Sequence, residues 1–392
     1  MSNPSNILIY IFMILMLISG TANTLTAKAM DIVHSEGAKF EHPYFQTASM
    51  FFGEVLCLLI YYTMQRINKR KISIDSKPIL GSPPPAPRTG LYKKLGPFIF
   101  VIPAFFDLLG STFIFIGLIL SAASVYQMIR GFIIVIVCIY SIIFLKRRLF
   151  RHETTGVIMI TLGIAITGIA SIVNKANTAE DPVLGVIVLF IGELLLGGMY
   201  VSEELLLKNV NVDPLQAVGI EGLCGSCMYL LILPILYAIP CNEPKMCDDG
   251  RVEDSIQALK QIGASWQLMF LWWGTMTSIA SFNFSGISTT KHVSSLARST
   301  IGASRTFFVW IFSMILEWEN FLWLQLIGFV LLVFGTLLYN EVLVLPWFGF
   351  KEAVGKHRTA LLEKRTKDGT DEDAIEIVGD FKLGMQFSAC TL

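Results

Sequence analysis

Ten apolar stretches, each about the length of a bilayer crossing, run in series through this chain: residues 7–26, 44–64, 97–119, 124–145, 154–173, 183–204, 217–238, 266–287, 294–316 and 321–341. A hydrocarbon core about 30 Å thick takes about 20 apolar residues of helix. One such stretch could be the core helix of a soluble protein. Ten of them, in a chain that is 54% hydrophobic with a mean hydropathy of +0.62, exclude the soluble classes. The expectation is an all-α membrane protein of ten transmembrane helices.

The second half of the chain repeats the plan of the first. Pro43-Tyr44-Phe45-Gln46 leads into Gly53-Glu54, and Pro214-Leu215-Gln216 leads into Glu221-Gly222, with the prolines 171 positions apart. Ser141, Gly156 and Gly163 are spaced by 15 and 7; Ser313, Gly328 and Gly335 keep both spacings at an offset of 172. Gly117 and Gly286 are 169 apart. Small residues are common in membrane helices, so it is the near-constant offset that argues for duplication. Each half holds five spans, and an odd number sends the second half into the membrane from the opposite side. Residues 1–173 and 174–345 are therefore expected as two inverted five-helix repeats, an arrangement that holds substrate near the midplane of transporters.

Lysine and arginine set the orientation. The segments after spans 2, 4, 6, 8 and 10 carry 8, 4, 1, 1 and 7 of them, 21 in all, and those after the odd-numbered spans carry 6. The positive-inside rule places the richer side, with both termini, in the cytosol. The basic, proline-rich linker at 65–96 and the tail at 346–392 cannot bury a core and are expected to be disordered. Between spans 7 and 8, in the lumenal loop at 239–265, Val252, Ile256, Leu259 and Ile262 recur at helical spacing. They predict a short amphipathic helix on the membrane surface, or one packed on the bundle. Cys241 and Cys247 share that loop, where an oxidising lumen would support a disulfide; two free thiols are the alternative. Cys224-Gly-Ser-Cys227 has redox spacing but no flanking His or basic residue, so small residues easing helix contact are the better reading. The sequon at Asn283 lies inside span 8, out of reach of glycosylation, and Tyr92-Lys-Lys-Leu95 matches a sorting signal too short to outweigh chance.

Charges inside a bilayer are costly and usually face a partner or a watery cavity. The candidates here are Glu54, Asp107, Arg130, Glu193, Glu221, Arg298 and Arg305. Helix geometry groups them into stripes: Gln127 with Arg130; Ser294, Arg298, Gly302 and Arg305; Glu193, Tyr200 and Glu204. Asp107, Gln127, Arg130, Glu193, Glu221, Asn283, Arg298 and Arg305 are the candidate substrate-pathway residues, with Arg130 and Arg305 facing a central cavity. The alternative is a set of structural ion pairs joining Arg130 or Arg305 to Asp107, Glu54 or Glu221. No phosphate loop, His-Glu-x-x-His motif or nucleophile elbow is present. Neither catalysis nor a cofactor, a metal site or a nucleic-acid partner is expected, and nothing in the chain couples transport to ATP.

Ten spans in two inverted fives resemble the drug/metabolite transporter superfamily. Gly20-Thr-Ala-Asn-Thr-Leu-Thr-Ala-Lys28, His42-Pro-Tyr-Phe-Gln46, Ser121-Ala-Ala-Ser-Val-Tyr-Gln-Met-Ile-Arg-Gly131, Asp213-Pro-Leu-Gln-Ala-Val-Gly-Ile-Glu-Gly222 and Ser281-Phe-Asn-Phe-Ser-Gly-Ile-Ser288 narrow this to subfamily F of solute carrier family 35. More distantly the chain is similar to nucleotide-sugar transporters and to the chloroquine-resistance transporter, whose lumenal loop carries a disulfide. The resemblance implies a secondary transporter of a small organic solute in the lysosomal membrane, with the mitochondrion as second candidate. It also implies an alternative, a transporter-like interaction protein that binds an adenine nucleotide carrier and acts on mitochondrial integrity and proliferation without moving solute. Four carboxylates and three arginines within the spans suit an amphoteric, cationic or proton-coupled substrate at least as well as a nucleotide sugar.

Overall fold

The computed structural model describes residues 4–40, 42–74, 96–120, 126, 129–147, 149–173, 182–209, 212–240, 250–316, 321–339 and 343. Its elements in chain order begin with α1 (Pro4–Ile32), a hairpin of β1 (His34–Ser35) and β2 (Ala38–Lys39), and α2 (Pro43–Ile74). A 3-10 turn (Gly96–Phe100) runs into α3 (Val101–Leu120), followed by α4 (Ile133–Phe144), α5 (Arg151–Val173), α6 (Pro182–Asn209) and α7 (Pro214–Ala238). The remainder is α8 (Ser255–Ala264), α9 (Trp266–His292), α10 (Ser295–Ile315) and α11 (Trp323–Tyr339).

A helix lies on each of the ten apolar stretches. Five contain segments long and apolar enough to cross a membrane: Leu8–Ile32, Pro43–Ile67, Phe98–Gly117, Val183–Lys208 and Pro214–Ala238. Ile129–Phe144 and Trp323–Tyr339 are apolar but shorter. The other three, α5, α9 and α10, carry many charged and hydroxyl residues. Helix α2 also runs on to Ile74, so the first ten residues of the expected disordered linker are helical; Arg, Lys and Gln are good helix formers and extend it. The rest of the linker, with Tyr92 and Leu95, and the tail lie outside the described residues.

Local chemistry explains where several helices start. Asp213 caps α7, its carboxylate accepting from the Leu215 N–H at 2.9 Å, with Pro214 at the first helical position. Asp254 accepts from the N–H groups of Ile256 and Gln257, each at 3.0 Å, and starts α8. In the hairpin, Glu36 and Gly37 both take positive φ, 55° and 87°, as a tight two-residue connection requires. Helix α8 packs on this hairpin: the Ser35 hydroxyl donates to the Gln261 carbonyl at 2.9 Å. Nearby, His42 Nδ1 lies 2.8 Å from Glu253 Oε1. Ala258, Gln261 and Ile262 are buried, while Ile256 and Leu259 remain exposed. The stripe expected to face one way is thus split, with Ile262 inward and its neighbours outward. Trp266 and Trp323, in the first turns of α9 and α11, are largely exposed, as is Phe270.

The helices pair closely as α1 with α9, α2 with α7, α3 with α6 and α5 with α11, while α4 packs on α6 and α10. Small residues let backbones touch at these crossings. A Cβ on Gly163 would stand 2.5 Å from the Gly328 carbonyl oxygen, and one on Gly328 2.6 Å from that of Gly163. Gly156 and Gly335 face each other likewise, at 2.9 Å in both directions. Gly225, between Cys224 and Cys227, would bring a Cβ to 2.3 Å from the Phe51 ring; both cysteines are free.

Candidate functional site

The polar groups of the bundle gather where α2, α3, α6, α7, α9 and α10 meet. The Ser294 hydroxyl caps α10 by accepting from the Ala297 N–H at 3.1 Å. Glu204, from the last turns of α6, accepts from the Ser295 N–H at 2.7 Å and also from its hydroxyl. A carboxylate at a helix N-terminus is stabilised by the helix dipole. One turn further on, Arg298 is fully buried and paired through Nη1 with Glu203, also fully buried. Its guanidinium lies 4.2 Å from the centre of the Tyr200 ring, and Nη2 is 3.4 Å from the Asn283 Oδ1. The Asn283 amide in turn donates to Glu54. Gly286 leaves room for this arginine, since a Cβ there would come within 2.6 Å of the Arg298 Nε.

On the hairpin side of this plug lies a forked cavity. One branch is bordered by Thr24, Tyr126, Arg130, Glu193, Tyr200 and Arg305. The other reaches Asn23, Asp107, Ser111 and Asn283. Arg130, Leu196, Tyr200, Phe282 and Arg305 border both. The lining of the first branch on α10 begins at Ser299, immediately after Arg298, and on α6 it ends at Tyr200, short of Glu203. Arg130 donates to the Tyr126 hydroxyl at 2.9 Å, and its Nε lies 3.7 Å from Glu193 Oε1. Arg305 sits 4.9 Å from the centre of the Phe282 ring; among the described residues no carboxylate comes within ion-pair distance of it. Asp107 accepts from Ser111 at 2.7 Å.

Arg130, Arg305, Glu193, Asp107 and Asn283 thus border one cavity, whereas Arg298 is sealed behind it and Glu221 is buried on α7. Gln127, Cys241 and Cys247 lie outside the described residues. The expected ion pairs of Arg130 or Arg305 with Asp107, Glu54 or Glu221 are not the ones formed. Arg130, just before α4, faces Glu193 because α4 packs on α6, and the fully buried pair joins Arg298 on α10 to Glu203, which the sequence reading passed over. Glu203 lies three residues beyond Tyr200, on the same helical face, so the signal was there; the stripe was continued at a spacing of four, to Glu204, and not at three.

The UAA transporter family matches residues 109–343. Solute carrier family 35 member F6 of Rattus norvegicus is 32% identical, over 93% of this chain and 94% of its own. The Homo sapiens protein of that name is 33% identical, over 83% and 87%. A solved protein crystal structure, 12% identical, superposes with a TM-score of 0.56 over 85% of this chain and 97% of its own, a likeness of fold. With identity of this level sustained along nearly the whole length, the chain is a multi-pass membrane transporter and belongs to subfamily F of solute carrier family 35, in the drug/metabolite transporter superfamily.

Proposed function

We propose that the protein is a secondary transporter of a small amphoteric solute, working by alternating access between two inverted five-helix repeats. The observation that carries this is the forked cavity, whose walls offer both signs of charge together with aromatic faces. Arg305, with Phe282 against it, receives an anionic group; Asp107, in the other branch, receives a cationic one. Arg130 is partly neutralised by Glu193 and shapes the junction.

The pairing of helices supports the repeat. Exchanging the halves turns α1 with α9 into α6 with α3, and leaves α2 with α7, α4 with α10 and α5 with α11 on the axis; all five contacts are present. The facing glycines obey the same exchange, since Gly156 against Gly335 becomes Gly328 against Gly163. On this reading the ten helices all span, the termini and the Arg298–Glu203 plug are cytosolic, and the cavity is the lumen-facing state. The lysosomal membrane is the proposed home. Counterflow into proteoliposomes with amino acids, peptides, organic cations and nucleotide sugars tests the reading. Exchange of an amphoteric solute is the expected result. A folded protein inert to every class, yet retaining an adenine nucleotide carrier, would favour the interaction role instead.

A further inference from the structure

Behind the cavity and, at Asp107, on its wall, four carboxylates share one guanidinium. Glu54 on α2, Asp107 on α3, Glu203 on α6 and Glu221 on α7 are all buried, and Arg298 on α10 is the cation among them. Arg298 is committed to Glu203, and Asp107 has Ser111 on one oxygen and feels Arg298 and, from just before α4, Arg130. That leaves Glu54 and Glu221. Glu54 is held on one oxygen by Asn283 from α9, and its other oxygen, Oε2, is buried without a hydrogen-bond partner; so is Oε1 of Glu221. The two residues belong to one helix contact: a Cβ on Gly222, next to Glu221, would stand 2.5 Å from the Glu54 Cβ. Glu221 feels the charges of Glu203, Glu54, Arg298 and Asp107. Among the described residues, the Cys57 thiol lies beside Glu54 and the Tyr229 phenol towards Asp107; neither supplies positive charge.

Like charges in a dry site cannot all ionise, so part of such a set stays protonated or takes up a cation. Among the described residues no three His, Cys, Asp or Glu side chains are placed to hold a metal ion. A proton needs only one oxygen and one acceptor, and the two unpartnered oxygens offer both. We propose that Glu54 and Glu221 form a proton-binding site at the α2–α7 crossing, making the transporter proton-coupled. Loading adds a proton from water to one carboxylate oxygen, where it bridges the pair. Unloading breaks that O–H bond, returns the proton to water on the other side of the membrane and leaves a carboxylate facing Arg298. Asn283 touches both Glu54 and Arg298 and borders the cavity, so it connects this site to the solute.

The proposal rests on the transport reading for its coupling, but the site itself can be tested without any solute. Infrared difference spectra of the protein in liposomes, taken across about pH 5 to 8, are expected to show a buried protonated carboxyl. Glu221→Gln and Glu54→Gln should each reduce that signal, and Glu221→Asp, which keeps the carboxyl, should retain it if the glutamine variants fold poorly. A wild-type spectrum with no such carboxyl overturns the site. In proteoliposomes, an imposed pH gradient should drive solute accumulation in wild type and fail to do so in Glu221→Gln. Solute exchange indifferent to the gradient, or driven by sodium in place of protons, sinks the coupling and leaves the transport reading standing. A carboxyl signal in a protein that moves no solute leaves the proton site standing and sinks transport.

Discussion

Arg298 and Arg305 stand seven residues apart on one helix, both inside the bundle, and their surroundings differ in nearly every respect. Arg298 is sealed, paired with Glu203, covered by Tyr200 and touched by Asn283. Arg305 looks into the cavity with the Phe282 ring against it and, among the described residues, no carboxylate within ion-pair distance. The side chain is the same in both, so the contrast isolates the effect of environment. A guanidinium with its counter-charge in contact is a fastener; one with a cavity before it and no carboxylate partner is, on the proposed transport reading, a receptor for a charge that arrives from outside.

The largest expected effect breaks the fastener. Arg298→Met or Glu203→Gln alone should lower stability by about 3–5 kcal/mol, because each leaves or creates an unbalanced polar group in a dry site. The double variant should recover much of the loss, as apolar or neutral replacements of whole buried pairs often do. Thermal melting of the purified proteins checks both, and single variants that melt like wild type would erase the contrast. Tyr200→Leu should cost about 0.5–2 kcal/mol through its stacking on Arg298, with Tyr200→Phe close to wild type; equal losses would assign the effect to the hydroxyl. The smallest stability change, under about 1 kcal/mol, is expected for Arg305→Gln, since a half-buried cation that faces a cavity and has no carboxylate in ion-pair contact loses little when neutralised. Counterflow should nevertheless collapse in that variant. A large drop in melting temperature would make Arg305 a fastener too.

The glycines were readable from the chain because close backbone contact admits no other side chain, and the contact leaves the same spacing in both halves. The caps of α7 and α8 are local too, each an Asp that accepts from early N–H groups of its helix. Partner identity was not: which carboxylate meets Arg130 depends on α4 lying against α6, a fact of packing between segments about 60 residues apart. Glu203 went unmarked because helical spacing allows Tyr200 a neighbour at three or at four, and the stripe took Glu204; only the packing of α10 on α6 singles out Glu203 as the partner of Arg298. Charged residues that lock a helix end look, in sequence, like residues that have left the membrane.

Trp266 and Trp323 have a consequence of their own. Each indole stands in the first turn of a helix that leads from the hairpin end into the bundle. Indoles settle at the depth of lipid headgroups. The two therefore act as a waterline drawn on the hull, marking how deep that end of the protein floats. Brominated lipids that quench at different depths would read the mark directly, and a shift of that reading with added solute would show the hull itself moving.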